Sequence, residues 1–223
     1  DRVIRRQFTP VEGDPFNPRQ IREAAERIRA LRYFEDVDVN AREGSDPNQV
    51  VVDVDVEETT TGTLSFGGSY SSDGGFGLTL GFSERNFLGR GQRVTAQISA
   101  SADTANYNLA FAEPAFLGRD VEFAIQTSLL ETDSNNSLYD TIQGVFQPSL
   151  TFPVAENSRL SLYYRAGYSE MDDYVGASPT LAAEATQGGL FSSGIGARIV
   201  FDTRRTGLNP NAGVLLDAGL EYN

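Results

Sequence analysis

From residue 62 onward, apolar and polar residues alternate along the chain in runs of five to eleven residues. Turn-forming residues such as Gly, Pro, Asn and Asp separate the runs. A period of two places successive side chains on opposite faces of a β-strand. The runs are 64–70, 76–82, 94–100, 107–111, 121–129, 142–152, 160–168, 191–201 and 214–222. The pattern therefore predicts nine strands.

In most of these runs one face is apolar or aromatic, and the other carries Gln, Ser, Thr, Glu or Arg. A soluble sandwich turns such apolar faces inward, whereas a transmembrane barrel turns them toward lipid. Strand lengths near ten residues favour the barrel, as do connections that alternate between turn-rich segments and polar loops. We therefore expect a mainly β protein with a partial transmembrane antiparallel β-barrel. Pro148 lies within a run and, lacking an N–H, is expected near an end, an edge or a bulge.

Residues 1–58 follow a different pattern. Asn17 is a suitable N-cap and Pro18 a suitable first helical residue, and apolar residues recur behind them at helical spacing. The alternating runs 33–39 and 50–57 predict two strands, and a short helix is expected within 1–8. We expect a small α+β domain over 1–58, a linker over 59–62 and the barrel over 63–223.

The composition argues against several classes of function. Lys+Arg number 18 and Asp+Glu 31, which gives a net charge of −13 and argues against a nucleic-acid partner. The sequence contains no His and no Cys, which removes the Ser-His-Asp arrangement, imidazole-bound zinc and thiolate sites. We therefore predict neither an enzyme nor a bound cofactor or metal. A stretch of about 18 apolar residues, as a helical membrane span needs, is also absent from the sequence.

Acidic residues alternate with valine near the end of the first domain. Asp53, Asp55, Glu57 and Glu58 could bind a hard cation or could form the solvated face of a strand. Calcium loops use a turning backbone with glycine, whereas the spacing here has the period of a strand. The solvated face is therefore the favoured interpretation.

One turn motif occurs twice. Glu84-Arg-Asn-Phe-Leu-Gly-Arg90 returns 29 residues later as Glu113-Pro-Ala-Phe-Leu-Gly-Arg119. This distance corresponds to two strands and their turns, so both copies are expected at the same end of consecutive hairpins. Each copy is predicted to place its Phe at the lipid interface, its Gly at positive φ and its Arg near lipid headgroups. The paired residues are Phe87 and Phe116, Gly89 and Gly118, and Arg90 and Arg119.

Further short motifs follow one another in a defined order. They are Val3-Ile-Arg-Arg6, Glu12-Gly-Asp14, Arg32-Tyr-Phe-Glu-Asp-Val37, Val54-Asp-Val-Glu-Glu58, the glycine-rich segment 67–75, the turn 84–91 and the segment 202–213. The first four are similar to the last POTRA domain of the BamA family of outer-membrane barrel-assembly proteins. The last three resemble the first half of that family's barrel. The resemblance implies a fragment that lacks the first POTRA strand and the second half of the barrel.

The resemblance also implies a function without chemistry. In this family the first barrel strand forms a lateral seam that templates incoming strands. The matching residues are Thr63, Leu64, Ser65, Phe66, Gly67, Gly68, Ser69 and Tyr70. A second edge for substrate strands is implied at Val50, Val52, Val54 and Val56, and a contact with a BamD-like lipoprotein at Glu12. The implied partners are the outer-membrane lipid bilayer, unfolded outer-membrane proteins and other assembly-machinery subunits, with the N-terminal domain in the periplasm.

Several alternatives remain open from the sequence. Gly62, Gly67 and Gly68 either weaken the seam strand or serve its curvature. Strand 50–57 is either a pairing edge or an ordinary strand covered by the helix. A TamA-like barrel or a two-partner secretion transporter is the alternative function. An outer-membrane enzyme such as a phospholipase would need a base other than His within this stretch. A soluble β-sandwich binding module would purify without detergent.

Overall fold

The computed structural model describes residues 2–9, 13–46, 49–72, 75–133, 137–204 and 212–223. Three features of the sequence analysis lie wholly or partly outside these residues. They are the predicted contact residue Glu12, the turn residues at 47–48 and 73–74, and most of the segment 202–213.

The chain divides into two compact units. One unit contains Asp1–Gly62 together with Glu84–Gly91, and the other contains Thr63–Ser83 together with Gln92–Asn223. The N-terminal unit thus includes the first of the two repeated turns. The division into a domain over 1–58, a linker over 59–62 and a barrel over 63–223 stays a prediction.

The described part of the N-terminal unit opens with the helices α1 (Arg2–Arg5) and α2 (Pro18–Ala30). Asn17 caps α2 as predicted, because its side-chain oxygen accepts a hydrogen bond from the Arg19 amide over 3.0 Å. The helical spacing collects Ala24, Ala25 and Ile28 on one buried face. One capping residue and one apolar stripe therefore account for where α2 begins and which side it buries.

The helix packs against a two-stranded sheet of β1 (Phe34–Glu43) and β2 (Val50–Glu58). The strands are antiparallel, and Val37 lies opposite Val56 on the apolar side. On the other side Asp38 lies directly opposite Asp55, so two like charges face each other across the ladder. Asp53 accepts a hydrogen bond from Arg42 over 2.5 Å. Asp53, Asp55 and Glu57 thus lie on one face of β2, as the favoured interpretation holds, and Glu58 lies on the other.

The opposed carboxylates provide a test of this register. We expect Asp55→Asn to stabilise the β1–β2 pair by about 0.2–1 kcal/mol, because it removes a repulsion between directly opposite residues. Hydrogen exchange of the β1 and β2 amides in the intact protein should become slower. Glu43→Gln removes the same charge from a residue opposite Val50 and should change nothing. Equal effects of the two substitutions would contradict the register.

Among the described residues, nine strands form a single antiparallel sheet whose spatial order follows the chain. They are β3 (Gly62–Ser71), β4 (Gly75–Phe87), β5 (Gln92–Ala100), β6 (Thr104–Glu113), β7 (Glu122–Thr132), β8 (Asp140–Ala155), β9 (Ser158–Asp172), β10 (Leu190–Asp202) and β11 (Leu215–Tyr222). Each predicted run has its strand, so the prediction of nine strands is confirmed. Each strand pairs with its neighbours in sequence, and β3 and β11 form the two edges.

The strand registers separate apolar from polar side chains. Directly paired residues share a face, and two neighbouring rows in the middle of the sheet show the separation. One apolar row consists of Phe123, Leu150, Leu162, Ala197 and Leu220. The adjacent row, on the other face, consists of Ala124, Ser149, Tyr163, Gly196 and Glu221. The alternation read from the sequence is therefore carried across several strands.

The apolar face of this sheet has no protein layer over it within the described part of the chain. Among the described residues, the buried apolar side chains belong to the N-terminal unit: Val3, Ala24, Ala25, Ile28, Tyr33 and Val37. In the sheet, large apolar residues such as Leu80, Leu109 and Ile195 are 50% to 64% exposed. A β-sandwich would bury this face against a second sheet. The sandwich alternative is therefore wrong for the described residues.

Two local features differ from the sequence expectations. Pro148 lies in the interior of β8, which is neither an edge strand nor bulged there; the ladder to β9 pairs Phe146 with Ala166 and then Ser149 with Tyr163. The connection between β9 and β10, residues 173–189, contains a helix, α3 (Pro179–Gln187), which the alternation did not predict. No helix among the described residues is long and apolar enough to cross a membrane.

Candidate strand-pairing edge

β3 lies at one edge of the nine-stranded sheet and, among the described strands, pairs with β4 alone. One row of its backbone N–H and C=O groups is therefore without a strand partner there. Its apolar side chains are open as well: Leu64 and Tyr70 are 81% exposed, and Phe66 is 73% exposed. The structure brings the eight predicted seam residues together in this strand: Thr63, Leu64, Ser65, Phe66, Gly67, Gly68, Ser69 and Tyr70.

Glycine in the middle of β3 leaves the edge thinly packed. A Cβ atom on Gly67 would meet nothing within 4 Å, and one on Gly68 would meet the ring of Phe76 at 3.9 Å. Neither residue has a positive φ. Neither a close approach nor a left-handed backbone therefore requires glycine here. The weakly packed edge and the strand curvature are both compatible with this environment.

Ser65, in the first half of β3, contacts β4. Its hydroxyl donates a hydrogen bond to the Gly81 carbonyl over 3.3 Å. A Cβ atom on Gly81 would lie 3.8 Å from the Cβ of Ser65, so the two residues face each other on the polar side. The hydroxyls of Thr79 and Ser99, 3.1 Å apart, continue this polar face onto β5.

The end of β4 is tied to the residue that precedes β3. The Thr61 hydroxyl donates a hydrogen bond to Oε1 of Glu84, and the Asn86 amide donates to the same oxygen over 2.7 Å. The Arg85 amide donates to the Thr61 carbonyl over 3.4 Å. We call Thr61, Glu84 and Asn86 the clasp.

The turn 84–91 also contacts α1. Gly91 is buried at φ +71°, and its amide donates to Oδ1 of Asn86 over 2.7 Å. A Cβ atom on Gly91 would collide with the Arg6 guanidinium and would lie 3.4 Å from Cγ2 of Val3. The positive φ favours glycine at this position, and a side chain here would displace the Arg6 guanidinium.

The two repeated turns have the same backbone. Gly89 and Gly118 have φ values of 68° and 72°, which confirms the predicted positive φ. Leu88 and Leu117 also lie in the left-handed region, at 54° and 56°, and are 71% and 80% exposed. A bulky residue at positive φ is uncommon, and the sequence analysis did not predict it. The roles of the Phe and Arg residues at the lipid interface stay predictions.

The other predicted sites are not brought to this edge. Val50, Val52, Val54 and Val56 all lie in β2, opposite Glu43, Ala41, Val39 and Val37 of β1. Val50 is 43% exposed, and the other three valines are half-buried. Their part in pairing stays a prediction, as does the partner contact at Glu12, which lies outside the described residues.

Polar side chains connect the last three strands on the polar face. The Tyr163 hydroxyl donates to Oε2 of Glu221 over 2.9 Å, and Arg165 lies 3.9 Å from the other oxygen of that carboxylate. Arg198 donates from Nε to Oδ1 of Asp217 over 2.7 Å. These contacts link β9 with β11 and β10 with β11. They support the strand register rather than a site of chemistry.

The sequence analysis did not identify the clasp. Its signal was present, because a carboxylate stands three residues before the Phe in both copies of the repeated turn, at Glu84 and Glu113. What the sequence could not show is the position of Thr61. Within the described residues, no group of three or more Asp, Glu, His or Cys is placed to hold a metal ion.

Two family models match the chain. The Omp85 superfamily domain matches residues 86–223, and the POTRA model, described as a surface antigen variable number repeat, matches residues 1–59. Outer membrane protein assembly factor BamA of Nitratidesulfovibrio vulgaris is 27% identical over 226 residues, which cover 100% of this chain and 28% of that protein. The same factor of Neorickettsia risticii is 27% identical over 182 residues, which cover 80% of this chain and 24% of that protein. The chain thus spans about a quarter of the length of these relatives.

A solved structure agrees with the sequence matches. The crystal structure of BamA from Haemophilus ducreyi lacking POTRA domains 1–3 superposes with a TM-score of 0.77 at 21% identity and covers 99% of this chain and 45% of that chain. The predicted fold class, a partial antiparallel barrel preceded by a small α+β POTRA domain, is confirmed, and so is the resemblance to the BamA family. The chain belongs to the Omp85 superfamily.

Proposed function

We propose that this protein folds other β-barrel proteins and inserts them into the outer membrane by pairing their strands with β3. The observation that supports this most directly is the position of β3 at an open edge of the sheet formed by the described strands, with Leu64, Phe66 and Tyr70 each more than 70% exposed. An edge strand presents unpaired N–H and C=O groups that an extended chain can complete. The relatives named as assembly factors support the same role.

Strand pairing needs neither a nucleophile nor a cofactor. Main-chain hydrogen bonds provide the affinity, and the alternation of apolar and polar side chains selects strands with the same period. Leu64 and Phe66 would lie beside the apolar residues of an incoming strand, and Ser65 beside its polar residues. The protein would therefore act as a template and not as an enzyme.

The remaining parts of the proposal follow the arrangement of the chain. Residues 63–223 would lie in the outer-membrane lipid bilayer, residues 1–58 would form a periplasmic POTRA domain, and 59–62 would link them. The edge of β2, with Val50, Val52, Val54 and Val56, would offer a second pairing site for unfolded outer-membrane proteins. Glu12 would contact a BamD-like lipoprotein of the assembly machinery.

Photocrosslinking in cells tests the pairing. A photoreactive residue replaces Ser69 on β3 in the full-length protein, while a slowly folding outer-membrane barrel is expressed as client. We expect adducts between position 69 and the client's terminal strand. The control position is Ser161, which lies in the sheet interior and shares a 2.7 Å hydrogen bond with Thr151. Equal adducts at both positions, or none at Ser69, would contradict the proposal, and adducts with a secreted chain that forms no barrel would indicate a translocation pore.

A further inference from the structure

The clasp lies at the N-terminal end of β3, the edge strand. Thr61 is followed directly by Gly62, where β3 begins, and Glu84 lies in the last part of β4. One carboxylate oxygen of Glu84 accepts hydrogen bonds from both the Thr61 hydroxyl and the Asn86 amide. Charged acceptors form stronger hydrogen bonds than neutral ones. The point at which the chain enters β3 is therefore held against β4 by side chains as well as by the strand ladder.

Comparison with the second copy of the turn, at Glu113, shows which hydrogen bond is made by Glu84 alone. Oε1 of Glu113 accepts from the Ala115 amide over 3.1 Å, just as Glu84 accepts from the amide two residues ahead. The other oxygen of Glu113 accepts from Gln92 of the paired strand β5 over 2.7 Å. Both carboxylates support their own turn, whereas Glu84 also holds the residue before β3.

An edge strand needs such a hold more than an interior strand does. β3 has a neighbour on one side among the described strands, and Gly67 and Gly68 contribute few contacts. Strand ends with few contacts open locally. If β3 slipped by one residue, its apolar and polar side chains would exchange faces, and a paired client strand would be misplaced in the same way.

We propose that Glu84 and Thr61 are positioning residues that hold the first end of β3 on β4 and so set the register in which client strands pair. This inference rests on the proposed function of β3. The middle of the strand, at Gly67 and Gly68, stays weakly packed, while its beginning is fixed. The contact of Val3 and Arg6 with Gly91 holds the same turn from its other side.

Three substitutions in the full-length protein separate these roles. Thr61→Val removes the hydroxyl that donates to Glu84 and leaves the turn unchanged. Glu84→Ala removes both the clasp and the support of the turn. Glu113→Ala is the matched control, because it removes the support of the second turn and no contact with Thr61. Hydrogen exchange of the β3 amides is measured in lipid nanodiscs without client, and client folding is measured separately in cells.

We expect Thr61→Val and Glu84→Ala to speed exchange at the start of β3 roughly three- to tenfold, since the hydrogen bond involves a charged group that is half exposed. Both should also slow client folding. Glu113→Ala should leave β3 exchange at the wild-type rate. Unchanged exchange in Thr61→Val, or equal acceleration in Glu113→Ala, would overturn the inference.

A disulfide between β3 and β4 should reverse the effect of Thr61→Val. The Cβ separation of 3.8 Å between Ser65 and Gly81 suits a disulfide, so Ser65→Cys with Gly81→Cys should fix β3 near its first end. In the Thr61→Val background, the oxidised pair should restore slow exchange and client folding, and reduction should remove both. The control pair, Gly167→Cys with Ser192→Cys at 4.0 Å between β9 and β10, should restore neither. Equal rescue by the control pair would overturn the inference.

The two readouts distinguish this inference from the proposed function. Faster β3 exchange in Thr61→Val together with slower client folding supports both. Faster exchange with unchanged client folding supports the hold on β3 and contradicts its role as a template. Slower client folding with unchanged exchange overturns the hold and leaves the template role standing.

Discussion

Replacing Leu109 by arginine is expected to prevent stable insertion of the sheet into a bilayer. Leu109 lies in the middle of β6, on the apolar face, and is 50% exposed. Arginine at the midplane of the lipid-facing surface of a transmembrane barrel costs about 2–4 kcal/mol. This is a large part of the stability of an ordinary protein. The folded fraction of the full-length protein in lipid vesicles, measured by the mobility of unheated samples on gels, should fall sharply.

The adjacent residue provides the control. Asn108 is also exposed and lies in the same strand, but its side chain is on the polar face, where it donates a hydrogen bond to Asn106 over 2.8 Å. Asn108→Arg adds the same charge one residue away and should insert nearly as well as the wild type. If both variants insert equally well, hydrocarbon does not cover the apolar face. If both fail equally, charge at this depth is harmful on either face, and the assignment of faces is wrong.

The strands could be predicted because alternation depends on local sequence alone. A period of two appears in each run from Leu64 to Tyr222, and each run became a strand. The N-cap at Asn17 was equally local, since capping needs only a side-chain oxygen beside the first helical turn. In these elements, propensity and the tertiary pairing favour the same conformation, so the sequence pattern was sufficient.

Pro148 shows where local rules were insufficient. A proline was expected near a strand end, an edge or a bulge, yet Ile125 pairs with Pro148 on one side and the register to β9 is the same before and after it. β8 is 16 residues long, and pairing along the rest of its length tolerates one missing N–H. α3 was missed for a related reason, because Ser178-Pro179 was a start signal without a strong apolar stripe behind it.

The strand that carries the candidate site was predicted, but its side-chain contacts were not. The resemblance placed the seam at 63–70, and β3 is an edge strand there. The clasp joins Thr61 to Glu84, 23 residues apart, and such a contact depends on how two strands and a turn are arranged in space. No periodicity encodes that arrangement. Side-chain contacts between distant residues therefore had to come from the structure.

Replacing both Gly67 and Gly68 by alanine is expected to stabilise β3 and slow client folding. A Cβ atom meets no clash at either position, so the change mainly removes backbone entropy from the unfolded strand. Glycine within a strand costs roughly 0.5–1 kcal/mol relative to alanine. The two changes together should therefore lower the equilibrium constant for local opening of β3 about 5- to 30-fold. Slower hydrogen exchange of the β3 amides and slower client folding should appear together.

Gly144→Ala is the matched control. Gly144 lies in the interior strand β8, and a Cβ atom there would make ordinary contacts of 3.7 to 4.0 Å with Tyr168, Leu129 and Ser128. This substitution should stabilise its strand and leave client folding unchanged. If the glycines of β3 serve curvature instead, the double alanine variant should exchange faster than the wild type. That result would contradict a weakly packed edge, because a strand that needs glycine to bend loses contacts when it is straightened.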